Sequence, residues 1–145
     1  MLITYSFFRA ALVYELGMYK DQKIIDFALA EFNMIKTDAA TNVNQEMKSK
    51  IFYIMGRLGD QFESLKKLHA ASNMPAEKNI LERAIGHARS EESINQALEF
   101  ALSDAVRNCD QLYVLSELAV HSDLGLAKVW LLIKERLEFL KENYG

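Results

Sequence analysis

The residues that could do chemistry are few: three histidines, one cysteine and 20 carboxylates in 145 positions. His69, His87 and His121 stand 18 and 34 residues apart, and none belongs to a His-Glu-x-x-His arrangement, which sets two imidazoles on one helix face to hold zinc. Their linear spacing predicts no zinc site. Each falls where the apolar pattern of a helix ends, a place where an imidazole N–H meets unpaired backbone carbonyls, so capping or surface roles are expected. Cys109 has no His and Asp partners that a sequence can reveal, and a lone cysteine at a helix boundary reads as structural rather than nucleophilic. The glycines are isolated, without a Gly-x-Gly-x-x-Gly or phosphate-loop pattern, so nucleotide binding has no support. Glu91 and Glu92 suit the positive end of a helix dipole and read as solvated, and the six methionines read as filling of helical faces or loops. No catalytic, cofactor-binding or metal-ligating residue is assigned, and no cofactor is expected in this chain.

The elements that would have to position any such group are helices. Six Gly and one Pro leave few breaks, and strand-type alternation is sustained nowhere. Phe8, Leu12, Val13 and Leu16 follow helical spacing up to Gly17, read as a left-handed stop; Asp21 then caps a stripe of Ile24, Ile25, Ala28, Leu29, Phe32 and Ile35. Thr37 to Asn44 reads as a loop. Met47, Ile51, Ile54, Met55 and Leu58 make a third helix ending at Gly59, and Asp60 with Glu63 resembles a capping pair for a fourth through Phe62, Leu65 and Leu68. Pro75 opens a fifth helix and Ser90 caps a sixth, while Asp110 and Asp123 are placed at the starts of the seventh and eighth. The seventh is expected to turn Leu112, Leu115, Leu118 and Ala119 inward. The eighth carries the longest stripe, Leu126, Val129, Trp130, Ile133, Leu137 and Leu140, with Trp130 expected as a core anchor.

The turns within helix pairs recur near Gly17, Gly59, Arg89 and Ser122, at separations of 42, 30 and 33 residues. Tandem pairs at such periods predict an all-α fold, an α-solenoid of about four antiparallel helix pairs forming a HEAT/armadillo-like superhelix, with a compact bundle as the alternative. A length of 145 residues fits a single domain spanning 1–145. With 17 basic against 20 acidic residues and a net charge of -3, nothing favours nucleic acid as a partner. The longest apolar runs, Ala10 to Tyr14 and Val129 to Ile133 among them, have five residues each, whereas a bilayer-spanning helix needs roughly 20, so no membrane contact is expected from this segment. The opening MLITYSFF lacks the basic flank and small-residue cleavage site of a signal peptide and reads as part of the fold. One cysteine gives no reason for an oxidising compartment; the location stays open, with the cytoplasm favoured.

The repeats also carry a family likeness. LGMYKDQKIIDFALAEF, from Leu16 to Phe32, resembles the helix turn and aromatic-rich helix in the C-terminal region of zinc aminopeptidases of the puromycin-sensitive and aminopeptidase N type. PAEKNILERAIGHARSEESINQALEFALSD, from Pro75 to Asp104, is similar to that family's repeat of paired acids before a Leu-rich helix. Val106 to Gly145 resembles the terminal segment, where Arg107 and Asp110 match a basic residue and an aspartate before a helix. Gly125, Ala127 and Trp130 match a Gly-x-x-Ala-Trp-like pattern shifted by one residue at the Trp. Leu126 departs from the family, many members of which place an Arg there.

The resemblance implies the later part of a larger, non-catalytic C-terminal domain, with the parent enzyme's zinc and its His-Glu-x-x-His helix in a separate catalytic domain. It implies a lid that packs on that catalytic domain, shapes peptide access and selects for length, so the implied partners are the catalytic domain and a peptide substrate. The alternative is a free-standing helical-repeat scaffold that binds a protein or peptide on its concave face. A solenoid needs polar caps at its ends. The first helix, with Leu2, Ile3, Tyr5, Phe7, Phe8, Leu12 and Val13, is apolar on more than one face, which favours the lid reading and predicts self-association through this helix, with one of Phe7 and Phe8 facing the core.

Overall fold

Side-chain caps start several of the helices. The computed structural model of the protein describes residues 2–37 and 44–144, with side chains over 6–37 and 44–138. The loop expected between Thr37 and Asn44 therefore falls largely outside the described residues, as do the side chains of Leu2, Ile3, Tyr5 and Leu140. Helix α1 spans Leu2–Met18 and α2 Gln22–Lys36; Asp21 Oδ1 accepts from the Ile24 N–H at 3.1 Å. Helix α3 spans Gln45–Leu58, capped by Asn44 at 2.9 Å to the Met47 N–H, and stops at Gly59, whose φ of 84° lies in the region open to glycine. Helix α4, Phe62–Ala71, starts from Gln61 without a side-chain cap. Asp60 and Glu63 do not form the expected capping pair, because a Phe62 N–H to Gly59 carbonyl bond of 3.2 Å draws Asp60 into the turn. Pro75 opens α5, Pro75–Gly86, at the position where its missing N–H is harmless. Ser90 and Ser93 form a reciprocal capping box on α6, Glu91–Ala101.

The last two helices start where the sequence places them, with Asp110 directly before the seventh and Asp123 as the first residue of the eighth, but the side-chain bonds at these starts are different. Helix α7 spans Gln111–His121, but Asp110 turns its carboxylate to the Arg107 Nε at 2.5 Å instead of capping. Helix α8 spans Asp123–Tyr144, and it is Ser122 that accepts from the Gly125 N–H, at 3.1 Å. No strand occurs among the described residues, and no described helix is long and apolar enough to cross a membrane.

The odd-numbered helices form one row, α1 on α3, α3 on α5 and α5 on α7; the even-numbered ones form a second layer, and α8 packs against α7. Lys128 of α8 also reaches Glu91 at 3.2 Å and Asn95 at 2.8 Å on α6. This two-layer array is the all-α, solenoid-like architecture that the periodicity predicts. The pairing is shifted by one helix: α2, α4 and α6 each pack more extensively on the odd helix that follows than on the one before.

Glycines set the spacing along the odd row and of α8 against α7. A Cβ on Gly56 would lie 1.7 Å from the Ala84 carbonyl oxygen of α5, one on Gly86 would lie 2.7 Å from the Val114 oxygen of α7, and one on Gly125 would lie 2.3 Å from the Leu118 oxygen. Gly17 has the same role, facing Ile54 of α3. It is not a helix stop: α1 runs on to Met18, and the left-handed residue is Lys20, with φ 63°. Between the layers, Phe32 of α2 meets Phe52 of α3 edge to face at 6.0 Å, and Ile51, Ile54, Met55, Leu65, Leu81, Ile85, Ile94 and Leu118 are fully buried. Each such side chain contributes about 1.5 to 3 kcal/mol of transfer free energy.

The end helices depart furthest from expectation. Gly125 and Val129, four residues apart, face α7, so the neighbouring stripe of Leu126, Trp130, Ile133 and Leu137 points away from the body, and Trp130 is 57% exposed. It is not a core anchor. On α1, Ala10 is buried whereas Phe7 and Phe8 are 56% and 61% exposed, so neither phenylalanine faces the core. Leu112 of α7 is likewise exposed.

Candidate functional site

The close glycine contacts bring the C-terminal halves of the odd helices side by side. Polar and aromatic residues that are far apart in sequence meet there. Tyr53 of α3 lies three residues before Gly56, and His87 follows Gly86 directly; their rings stack at 4.6 Å and 3°. Tyr14 of α1 meets Tyr53 edge-on at 6.1 Å, and its hydroxyl lies 3.2 Å from His87 Nε2. On the other side, the His87 and His121 rings lie 4.3 Å apart, tilted by 33°. The result is an unbroken line, Tyr14, Tyr53, His87, His121, across four helices.

Charges border this line. Lys50 Nζ sits 5.5 Å from the ring centres of both Tyr14 and Tyr53, and the Arg83 guanidinium lies 4.7 Å over the Tyr113 ring. Arg83 Nη1 donates to Glu117 Oε1 at 2.7 Å, and the second oxygen, Oε2, lies 3.0 Å from His121 Nε2 and 4.0 Å from His87 Nδ1. Burial of His87 disfavours the imidazolium. Although the Arg83 carbonyl and Glu117 favour the charged ring, desolvation dominates, assisted by His121, and pushes its pKa down to about 4. His87 is therefore neutral near pH 7, with the hydrogen bond of 2.8 Å between Nδ1 and the Arg83 carbonyl placing its proton on Nδ1. The Tyr14 hydroxyl then donates to Nε2. Burial, followed by Glu117, raises the pKa of Tyr14; burial also raises that of Tyr53, so both phenols keep their protons.

Two surface features continue from this face. Beside Tyr14 and Lys50, an open cleft is lined by Phe7, Phe8, Ala11, Glu15 and Glu46. At the ends of the odd helices, Lys20, Arg57 and Arg89 line a second cleft with Ser90, Ser122 and Asp123. There the Nε and Nη1 of Arg57 are buried and have no partner. Arg89 has its pKa lowered by burial and then by the charge of Arg57. This rim suits an anion.

The capping role expected of the histidines is met by His87, whose Nδ1 bonds the Arg83 carbonyl at the end of α5, but the rings of His87 and His69 are buried rather than at the surface. His69 is buried and forms a 2.9 Å hydrogen bond with buried Glu82, against the edge of Phe100; this pair lies apart from the aromatic line. His87 is buried within the line and His121 half-buried at its end. Cys109 is exposed, and Glu91 and Glu92 are solvated at the start of α6, as expected. The sequence reading missed Tyr14, Tyr53, Arg83 and Glu117. One signal was available: Glu117 and His121 stand four apart, on one face of a helix. The register that brings His87 to them, 34 residues earlier, is set by backbone contact at Gly86.

Arranged this way, the residues combine stacked aromatic and imidazole rings, hydrogen-bond donors and acceptors, and charges of both signs. They include no His-Glu-x-x-His helix, so no step of peptide hydrolysis is assigned to them. Comparison with protein families gives a match to the ERAP1-like C-terminal domain over residues 4–145. With nearly the whole chain covered and the helical array described above, the protein belongs to the ERAP1-like C-terminal domain family, the C-terminal domain of aminopeptidase-type metallopeptidases.

Proposed function

We propose that this domain closes over the catalytic domain of its aminopeptidase and turns the face bearing Tyr14, Tyr53 and His121, with buried His87 holding these rings in line, toward the enclosed space, where it contacts the distal part of a peptide and so governs access and length selection. The observation that carries this reading is the continuity of the face: four helices contribute one ring each at stacking or edge-on distances, flanked by Lys50 and Arg83. Aromatic rings present large, rigid contact area at small entropic cost, and the flanking cations and Glu117 add orientation without demanding one peptide sequence. The exposed apolar stripes on α1 and α8 support the same reading, since both lie at ends of the array where neighbouring parts of a larger enzyme would cover them. Catalysis, and the zinc that supports it, are assigned to the other domain.

Photocrosslinking tests the placement. In the full aminopeptidase that carries this domain, a peptide inhibitor with a photoreactive group at its distal end is expected to label residues around Tyr14, Tyr53 and Tyr113. Labelling confined to the even-numbered helices would put the peptide on the wrong side of the domain for this proposal.

A further inference from the structure

We propose that His87, Glu117 and His121 form a binding site for a divalent transition-metal ion of the zinc class, clamping α5 to α7. One nitrogen from each imidazole and one oxygen of Glu117 lie within 4.8 Å of one another. Tetrahedral zinc with ligands at 2.0 to 2.2 Å separates them by about 3.3 to 3.6 Å. The separations of Glu117 Oε2, 3.0 Å to His121 Nε2 and 4.0 Å to His87 Nδ1, bracket that range, so small side-chain rotations close the site.

The surroundings suit a metal in three ways. Two imidazoles and one carboxylate are the donor set that zinc, cobalt and nickel accept and that calcium and magnesium do not favour. Outer contacts are already present: the Arg83 carbonyl and the Tyr14 hydroxyl each hold one nitrogen of His87, and ligation exchanges one of these contacts for the metal while the other fixes the ring. The Arg83 guanidinium engages Glu117 Oε1 and leaves Oε2 toward the imidazoles, and its own side chain is 40% exposed, where water screens its charge from the ion. Side-chain exposures of 3%, 16% and 21% for His87, Glu117 and His121 grade the site from dry to wet. Three protein ligands then leave a fourth position facing the solvent side for water or an incoming carboxylate.

The test uses the full 145-residue chain, stripped with chelator and dialysed, titrated calorimetrically with Zn2+ and optically with Co2+. One ion per chain is expected, with a visible Co2+ spectrum of four-coordinate type. His121→Ala and Glu117→Gln should each weaken binding at least about tenfold while helix content stays at the wild-type level, and Cys109→Ser should leave it unchanged. If His121→Ala lowers helix content, His121→Gln decides in its place. Failure to saturate at one ion, or affinity that survives both substitutions in folded protein, overturns the proposal.

Discussion

His69 and Glu82 illustrate how a single polar pair is held in an apolar array. Both are buried, joined by a 2.9 Å hydrogen bond through Glu82 Oε1, while Glu82 Oε2 is buried without a partner. Removing one member strands the other, whereas removing both leaves a cavity that apolar groups can fill. His69→Leu should therefore lower stability by about 3 to 5 kcal/mol, and adding Glu82→Leu should recover most of that loss. Denaturant unfolding of the two single variants and the double variant measures the coupling; equal, additive losses would mean that the two side chains do not depend on each other. Neither the pair nor the Tyr53 to His87 stack was legible in the sequence. A histidine at the end of a helical pattern looks the same whether its ring meets solvent or folds back on the next repeat, and here the tight odd row decides in favour of burial.

At the scale of the element, local chemistry was readable and facing was not. Asp21, Pro75 and Ser90 start helices as their types predict, and Gly59 ends one, because caps and left-handed stops depend on a few neighbouring residues. Which stripe of a helix turns inward depends on its partner. Helix α8 shows small surface to α7, through Gly125 and Val129, and leaves its larger apolar stripe outside. Trp130→Ala should accordingly shift stability by no more than about 0.5 kcal/mol, the range of a surface substitution. A loss of several kcal/mol in a denaturant melt would return Trp130 to the core. The exposed face of α1 gives a companion expectation. Phe8→Ser should weaken concentration-dependent self-association, read by sedimentation, while leaving the unfolding midpoint in place; a lowered midpoint with unchanged association would mean that α1 buries this ring. The glycines divide by what they face. Gly56→Ala forces a methyl group into the Ala84 carbonyl and should cost at least about 3 kcal/mol, whereas at Gly17 the clash is with the mobile end of Ile54 and the cost should be smaller. Thermal melts of the two variants rank them, and a Gly56→Ala protein as stable as Gly17→Ala would refute the close approach of α3 and α5.

Across the described molecule, two layers of helices hold one continuous line of aromatic and imidazole rings on the odd-numbered row. The same backbone contacts that shorten the distance between α3, α5 and α7 align Tyr53, His87 and His121, so helix packing and the alignment of these rings share a cause. The helical periodicity and the family likeness were both legible along the chain, while the site was not, since it is assembled from residues up to 107 positions apart, Tyr14 to His121. The central claim is that this face reads the distal part of a peptide. The most direct measurement is hydrolysis of a peptide ladder of increasing length by the full aminopeptidase, with wild-type domain and with Tyr53→Ala combined with Arg83→Ala. Turnover of a single aminoacyl reporter should stay unchanged while kcat/KM for the longer peptides falls about tenfold or more, which flattens the length profile. A variant enzyme that keeps the wild-type length profile, or loses reporter and long-peptide activity in equal proportion, would contradict the central claim.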